Sequence, residues 1–187
     1  MRHAALLICF AGPVFAQSGS VAFELPAGCD AYLTVQSESC AVSHHFVCEG
    51  DPGGHQRRVS LDERGLPYVG EIGAETQWIS SFQVLSGHRE RLESRPAEPA
   101  SLSALISQRV EANDIRTLSD EIGETRYVGQ DTLTGRQVTI DGVTLDETTY
   151  DITAYDAAGN EIWSAKGNEF ISRDWRMFLS GTGTVTT

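Results

Sequence analysis

The densest group of chemically versatile side chains lies between residues 44 and 55 of the 187-residue chain. It contains three histidines and two acids: His44, His45, Glu49, Asp51 and His55. Imidazole and carboxylate groups together are the ligands that zinc prefers in proteins. Adjacent residues on a strand point to opposite faces, so one ion does not readily bind both His44 and His45. We keep His45, Asp51 and His55 as weak metal candidates, and we predict a core histidine at 44, a solvated loop and no bound metal.

Motifs for catalysis are missing from the sequence. It has no Gly-x-Ser-x-Gly, Ser-x-x-Lys or His-Glu-x-x-His pattern and no phosphate loop. Acids such as Asp141, Asp151 and Asp174 offer glycosidase-type pairs, but any acidic chain contains such pairs by chance. We therefore predict no catalytic residues and no cofactor, with a hydrolase whose site forms only in the folded chain as an alternative.

Aromatic side chains are the remaining signal for a binding site. Three tryptophans on a curved sheet are suited to line a hydrophobic pocket, and one phenylalanine shares the alternation phase of the first of them. The candidate ligand-binding residues are Trp78, Phe82, Trp163 and Trp175. The alternative is that these rings simply fill the core, where aromatic residues dominate burial.

The elements that position these residues are mostly strands. Runs rich in Val, Thr, Tyr and Ile alternate with period two and are separated by glycine-containing turns, as at residues 134–136, 141–142 and 156–160. Leu102, Leu105, Ile106 and Val110 have helical spacing after a capping Ser101. The sequence predicts a mainly β fold: a single antiparallel, strongly curved, half-barrel-like meander with one packed amphipathic helix around residues 101–110.

The first sixteen residues have the three-part layout of a secretory signal. A basic start is followed by an apolar run of about eight residues, a Gly-Pro break and a Val14-x-Ala16 pattern that ends in a small residue. The apolar run is too short to cross a bilayer, which takes about 20 residues. We predict a cleaved signal at 1–16, one β-rich domain at 17–181, a flexible tail at 182–187 and a periplasmic location, with secretion beyond the periplasm as the alternative.

Export favours a disulfide, because thiols meet oxidising conditions outside the cytoplasm. Two alternating runs fold into a hairpin about residues 38–39 that places Cys29 opposite Cys48. The same register pairs Ala31 with Phe46, Leu33 with His44 and Val35 with Val42. In a continuous strand Cys40 lies about 26 Å from Cys48, beyond the roughly 7 Å that a disulfide spans. We predict a Cys29–Cys48 bond and a leftover, buried Cys40; a longer loop would instead favour Cys29–Cys40.

Charge limits the classes of partner. The formal net charge is −12 and the isoelectric point is near 4.7, so the chain lacks the positive surface that nucleic acid or anionic lipid requires. Hydrophobic residues make up 40 % of the chain, enough for a packed core. No segment is apolar enough to span a membrane.

The C-terminal half carries a resemblance in its turns and aromatic residues. The matching features are Leu133–Gly135, Val138–Val143, Tyr150, Asp156–Asn160, Trp163, Gly167, Glu169–Phe170 and Trp175–Gly181. Residues 75–181 resemble the C-terminal half of small, uncharacterised exported proteins of Gram-negative bacteria. Their architecture is similar to the periplasmic lipoprotein-carrier group, in which a curved antiparallel sheet wraps around helical segments. The resemblance implies a concave apolar face that holds acyl chains.

These observations predict an exported, non-enzymatic protein that binds an apolar or amphipathic ligand, such as a lipid, on the concave face of its sheet. The rival prediction is an envelope interaction module that docks a protein through its acidic surface or a sheet edge.

Overall fold

Eleven strands follow one another in a single antiparallel meander, interrupted by one short helix. This computed structural model describes residues 23–38 and 40–187, so the predicted signal at 1–16 lies outside the described residues. The elements are β1 (Cys29–Gln36), β2 (Val42–Cys48), β3 (Gln56–Asp62), β4 (Gly65–Ile72), β5 (Trp78–Gln83), β6 (His88–Leu92), α1 (Leu102–Gln108), β7 (Val110–Ser119), β8 (Gly123–Ile140), β9 (Val143–Asp156), β10 (Glu161–Ser172) and β11 (Met177–Thr186). The mainly β antiparallel fold is confirmed.

The sheet bends until strands near its two ends touch. The Gln56 side-chain amide on β3 donates hydrogen bonds to the carbonyls of Trp175 (2.7 Å) and Arg176 (3.3 Å), in the turn between β10 and β11. In the strand order β3 and β10 are separated by six other strands, so a flat sheet would hold them far apart. Among the described residues β1 pairs only with β2 and β11 only with β10, which leaves the curved sheet open.

The helix packs on the concave face and forms the hydrophobic core there. The Ser101 hydroxyl caps it by accepting a hydrogen bond from the backbone N–H of Ala104 at 3.2 Å. Leu102 and Leu105 are each 1 % exposed and pack in one cluster with Leu133 of β8 and Ile171 of β10. The predicted helix is therefore confirmed, and it covers the C-terminal strands. No helix in the described part of the chain has the length and apolar character needed to cross a membrane.

The β1–β2 hairpin confirms the Cys29–Cys48 disulfide and corrects part of the predicted register. Ala31 lies opposite Phe46 as expected, but a bulge then places Leu33 opposite His45 and Val35 opposite Ser43. The inserted residue shifts every later pair by one position, so the predicted Leu33–His44 and Val35–Val42 pairs are wrong.

The connection between β1 and β2 also differs from the predicted two-residue turn. The Ser37 N–H donates to the Ala41 carbonyl at 2.9 Å, so the loop is longer than residues 38–39. Cys40 lies in this loop with a positive φ of 60° and is exposed and free. It is indeed the unpaired thiol, but the expectation that it is buried is wrong, because it belongs to the loop and not to β2.

The C-terminal residues extend the sheet. β11 pairs with β10 as far as Thr186, opposite Ser164, so the flexible tail predicted from residue 182 is instead strand. Tyr150 of β9 lies opposite Gly167 of β10, which lies opposite Gly183 of β11, and a side chain at Gly183 would collide with the Tyr150 hydroxyl. The small residues at this end of the sheet thus make room for a large ring on the concave face.

Replacing both Cys29 and Cys48 with serine should lower the free energy of unfolding by about 2–4 kcal/mol, because the 19-residue separation is no longer closed in the unfolded chain. Urea unfolding measures the change. Cys40→Ser is the control, with an expected effect within about 0.5 kcal/mol. An equal loss in both variants would contradict the assignment.

Leu105→Ala should lower the free energy of unfolding by about 2–5 kcal/mol, because it leaves a cavity between α1 and the sheet. Gln108→Ala, at an exposed position of the same helix, is the control and should change stability by less than about 0.5 kcal/mol. A loss below about 1 kcal/mol for Leu105→Ala would show that the helix does not build the core.

Candidate ligand-binding site on the concave face

A cavity of about 350 Å³ opens on the concave face, between the N-terminal strands β2–β5 and the C-terminal strands β7–β11. Its lining combines two chemistries. The apolar side chains are Ile72, Trp78, Ile115, Met177 and Phe178. The polar and ionisable side chains are His45, Gln56, Arg57, Arg58, Tyr68, Glu71, Thr76, Gln77, Asn113, Asp131, Glu169 and Ser180. Such a mixture in one concavity is typical of sites that bind a small molecule in a fixed orientation.

Strand alternation directs the acids into this cavity. Asp131 lies two residues before the buried Leu133 on β8, and Glu169 lies two residues before the buried Ile171 on β10. Residues two apart on a strand share a face, so both carboxyls point to the side where the helix packs. Glu111 of β7 lies directly opposite Asp131 and brings a third carboxyl to the same face.

Burial shifts the protonation of all three carboxyls. It raises the pKa of Glu169 to about 7, and the negative charge of Asp131 adds to this rise while Arg58 opposes it. Burial alone raises the pKa of Asp131 to about 6. Burial also raises the pKa of Glu111 to about 7, although the Ser101 N–H donates to its carboxylate at 3.1 Å and favours the charged form. The face therefore gains or loses protons near neutral pH.

The basic groups of the cavity are two guanidinium groups and one neutral imidazole, and one of the guanidinium groups, Arg57, is already held by Asp51. The Arg58 guanidinium lies 4.7 Å from the centre of the Tyr68 ring and forms no ion pair with any described residue. His45 is 6 % exposed, and burial, followed by the charges of Arg58 and His44, lowers its pKa to about 4. His45 is thus uncharged at neutral pH, and Arg58 is available to an incoming group.

A buried tyrosine ties this region to the far end of the sheet. The Tyr32 hydroxyl donates to the Gln56 side-chain carbonyl at 2.7 Å, and burial raises the Tyr32 pKa to about 12. Gln56 in turn donates to the β10–β11 turn. The polar floor of the cavity is therefore held in place by hydrogen bonds between the two ends of the sheet.

The four predicted aromatic candidates are placed differently from one another. Trp78 lines the cavity, but Phe82 lies on the opposite face, because a register shift pairs Trp78 with Ile72 and Phe82 with Val69. Trp163 packs against Tyr127, with ring centroids 6.0 Å apart, outside the cavity lining. Trp175 lies in the β10–β11 turn, also outside the lining. The prediction that all four rings lie in one site is therefore wrong. It assumed that β5 has no bulge, and the bulge turns Phe82 to the opposite face.

The weak metal candidates do not come together. His45 lies in the concave cavity, whereas Asp51 accepts two 2.8 Å hydrogen bonds from Arg57 and His55 pairs with Glu71 at 3.0 Å. The described residues contain no group of three or more His, Cys, Asp or Glu side chains arranged to hold a metal.

The structure corrects which of the two adjacent histidines, His44 or His45, is buried in the core. The prediction placed position 44 in the core, but the side chain there is only partly buried and its ring accepts or donates a 2.9 Å hydrogen bond with the Thr34 hydroxyl. His45 is the buried histidine. β2 pairs with β3 without a register shift, so His44 shares the face of Phe46 as predicted, and His45 is the more buried because its side chain lines the concave cavity.

Sequence reasoning missed Arg58, Asp131 and Glu169, the charged residues of the cavity that form no ion pair with any described residue. A signal was present for the acids: each shares its alternation phase with apolar neighbours, Leu133 for Asp131 and Ile171 for Glu169. An acid on the buried phase of a strand either has a partner or serves a function. No such signal exists for Arg58, whose neighbour Arg57 has the same charge and the opposite face.

The comparisons with known proteins add no relative. The chain matches no protein-family model, no curated protein and no solved structure. The resemblance to exported Gram-negative proteins and to lipoprotein carriers therefore stays a prediction from the sequence.

Glu169→Gln tests the buried carboxyl. With a pKa of about 7 against an ordinary 4.5, the folded protein binds more protons than the unfolded chain between these pH values. The stability that protonation contributes is complete below pH 4.5 and is lost as the pH rises to about 7. We expect the variant to lack this loss, and thus to exceed wild type in free energy of unfolding by roughly 2 kcal/mol above about pH 7.

Urea unfolding across this pH range gives the comparison. Glu161→Gln, at an exposed position of the same strand, is the control and should follow the wild-type profile. If the free energy of unfolding of Glu169→Gln changed with pH in parallel with that of wild type, the Glu169 carboxyl would not be buried without a charged partner.

Proposed function

We propose that the protein is an exported, non-enzymatic binding protein that holds an amphipathic ligand in the concave cavity. The observation that carries this proposal is the pairing of apolar side chains, such as Trp78 and Phe178, with uncompensated ionisable groups in one cavity. An apolar ligand alone would leave the charged groups without partners, and a purely polar ligand would leave the apolar surface exposed.

The volume of the cavity agrees with part of such a ligand. About 350 Å³ lies at the lower end of the range of small-molecule sites, roughly 300–1,000 Å³. The cavity is open to solvent, so the remainder of a longer chain can extend along the concave face. The aromatic pair Tyr127 and Trp163 lies further along that face and offers apolar surface there.

The ionisable groups define the preferred head group. Two charged groups of the lining, Arg57 and Glu71, already pair with Asp51 and His55. The two remaining carboxyls, Asp131 and Glu169, outnumber the one remaining guanidinium, Arg58. A cationic head that binds between the carboxyls favours their charged forms and releases protons near neutral pH. A head that also carries an anionic or carbonyl oxygen can accept hydrogen bonds from Arg58. The ligand class is therefore an amphipath with a cationic or zwitterionic head and no excess negative charge.

Export is part of the proposal. It is supported by the signal-like sequence at residues 1–16 and by the disulfide, which forms in oxidising compartments. We place the protein in the periplasm, with lipids or other amphipathic small molecules as its partners and without a cofactor.

Native mass spectrometry of the protein exported by its own signal tests the proposal, because a bound amphipath should appear as a retained mass. Stripped protein is then titrated with dodecylamine, dodecanol and dodecanoic acid, which share one tail and differ in head charge. We expect the amine to bind most tightly and the acid most weakly, for the electrostatic reason given above.

Trp78→Ala should weaken amine binding at least about tenfold, since a buried tryptophan commonly contributes more than 1.4 kcal/mol to a complex. Trp175→Ala removes the same kind of side chain from the β10–β11 turn, outside the cavity lining, and should change the affinity less than about threefold. Equal losses in both variants, or no binding of any of the three probes, would contradict the proposal.

A second candidate function rests on the edge of the sheet. β11 is an edge strand, and residues 177–187 contain no charged side chain, although natural edge strands commonly carry charges that prevent pairing. An envelope protein that adds a strand to β11 would use this edge. A mass without ligand, together with a partner whose binding is abolished by Thr184→Pro, would favour this candidate.

A further inference from the structure

A second cavity, of about 240 Å³, lies on the other face of the sheet, where β4, β5 and β6 run side by side. Its lining includes Phe82 and three arginines, Arg57, Arg89 and Arg91. This cavity and the concave cavity have no apolar lining side chain in common. An inference about this cavity does not depend on the proposed function. Three guanidinium groups around one concavity are unusual in a chain with a formal net charge of −12.

Strand alternation concentrates the positive charge on this face. Arg89 lies opposite Phe82 and Arg91 lies opposite Ser80 in the β5–β6 pairing. The residues between and beside them, His88 and Glu90, point to the other face. Arg89 and Arg91 are two residues apart on β6, so their Cα atoms lie about 7 Å apart. Both flexible side chains can therefore reach one small group.

The two arginines of β6 differ from the other arginines near this part of the sheet. Arg57 is held by Asp51, with both hydrogen bonds at 2.8 Å. Arg116 pairs with Glu124 at 3.1 Å, and Arg126 donates to Asp114 at 2.8 Å.

Neither Arg89 nor Arg91 has a carboxylate partner for its guanidinium among the described residues. Like charges this close repel each other, and an anion between them would relieve the repulsion.

An aromatic ring orients one of the two groups. The Arg89 guanidinium lies 4.4 Å from the centre of the Phe82 ring. Stacking of this kind fixes the plane of the guanidinium and leaves its edge N–H donors free for an oxyanion. Phe82 thus has a role on this face that differs from the predicted role in an apolar ligand site.

Three acids, Glu71, Glu90 and Asp120, line the cavity together with the three arginines, so the lining as a whole has no excess of positive charge. The carboxylate of Glu71 is engaged by His55 at 3.0 Å and by the Ser80 hydroxyl at 3.4 Å. Glu90 accepts a hydrogen bond from Thr117 at 3.0 Å on the concave side. Asp120 is exposed at the margin of the cavity. What distinguishes Arg89 and Arg91 is therefore the lack of a carboxylate partner among the described residues, and not an excess of positive charge in the lining.

We propose that Arg89 and Arg91 bind the phosphate group of a soluble ligand on this face. A phosphate oxygen pair matches the planar fork of N–H donors that arginine presents, and two such forks bind one phosphate from two sides. The site supplies no group that would hydrolyse the phosphate, so the function is recognition. A lipid source is disfavoured, because the net charge of −12 opposes approach to an anionic bilayer.

Calorimetric titration of the full-length exported protein with sodium phosphate, at constant ionic strength set with sodium chloride, tests the proposal. We expect saturable binding that is weakened at least about tenfold when Arg89→Gln and Arg91→Gln are combined, because both charge-assisted contacts are lost. The matched control combines Arg64→Gln with Arg95→Gln, which removes the same charge from two exposed arginines outside the cavity and should change the affinity less than about twofold.

The possible results separate the sources of the anion. Absence of saturable phosphate binding, or equal weakening in both double variants, would overturn the proposal, since the effect would then be one of overall charge. Vesicles of equal parts phosphatidylglycerol and phosphatidylcholine are the second probe, and we expect no cosedimentation. Cosedimentation that depends on Arg89 and Arg91 would overturn the assignment to a soluble ligand in favour of a lipid head group. The phosphate titration and the vesicle assay both use variants that leave the concave cavity unchanged. A negative result in either one therefore does not test the proposal that the concave cavity binds an amphipath.

Discussion

The curved shape depends on a small set of polar contacts that join the two ends of an open sheet. The Glu75 carboxylate, between β4 and β5, accepts hydrogen bonds from the Ser103 N–H at 2.8 Å and from the Arg176 guanidinium at 2.6 Å. Gln56 adds its bonds to the β10–β11 turn. Because β1 and β11 do not pair, these bonds replace the hydrogen-bond ladder that closes a barrel. The concave cavity exists because the ends are held near each other without being joined.

This arrangement trades stability for an accessible polar interior. Asp131 and Glu169 would stabilise the folded chain more as apolar residues, since a buried carboxyl without a partner disfavours its charged form. The disulfide and the packed helix offset such a cost in a sheet whose hydrophobic cluster is small. Groups whose pKa values are raised by burial in a concavity are a common mark of binding sites, which agrees with the proposed role.

Alternation in the sequence was sufficient to predict the mainly β class, the helix and the Cys29–Cys48 bond, because period and spacing fix which residues face each other. It did not predict every strand, since the turn expected at residues 134–136 lies inside β8. It was insufficient where one extra residue enters a strand. The bulge in β1 changed the partners of Leu33 and Val35, and the shift in β5 separated Trp78 from Phe82. Bulges depend on the packing of distant strands and leave no local pattern. The cavity itself depends on contacts across more than a hundred residues, which period-two reasoning does not address.

The central claim is that an ionisable group in the concave cavity contacts the ligand. Carboxyl-carbon NMR of selectively labelled Glu169, followed against pH with and without dodecylamine, tests it directly. The account predicts a pKa of about 7 in the free protein and a clear decrease when the amine binds, because the ammonium favours the carboxylate. A pKa near the ordinary value of 4.5 that does not respond to the amine would contradict the account.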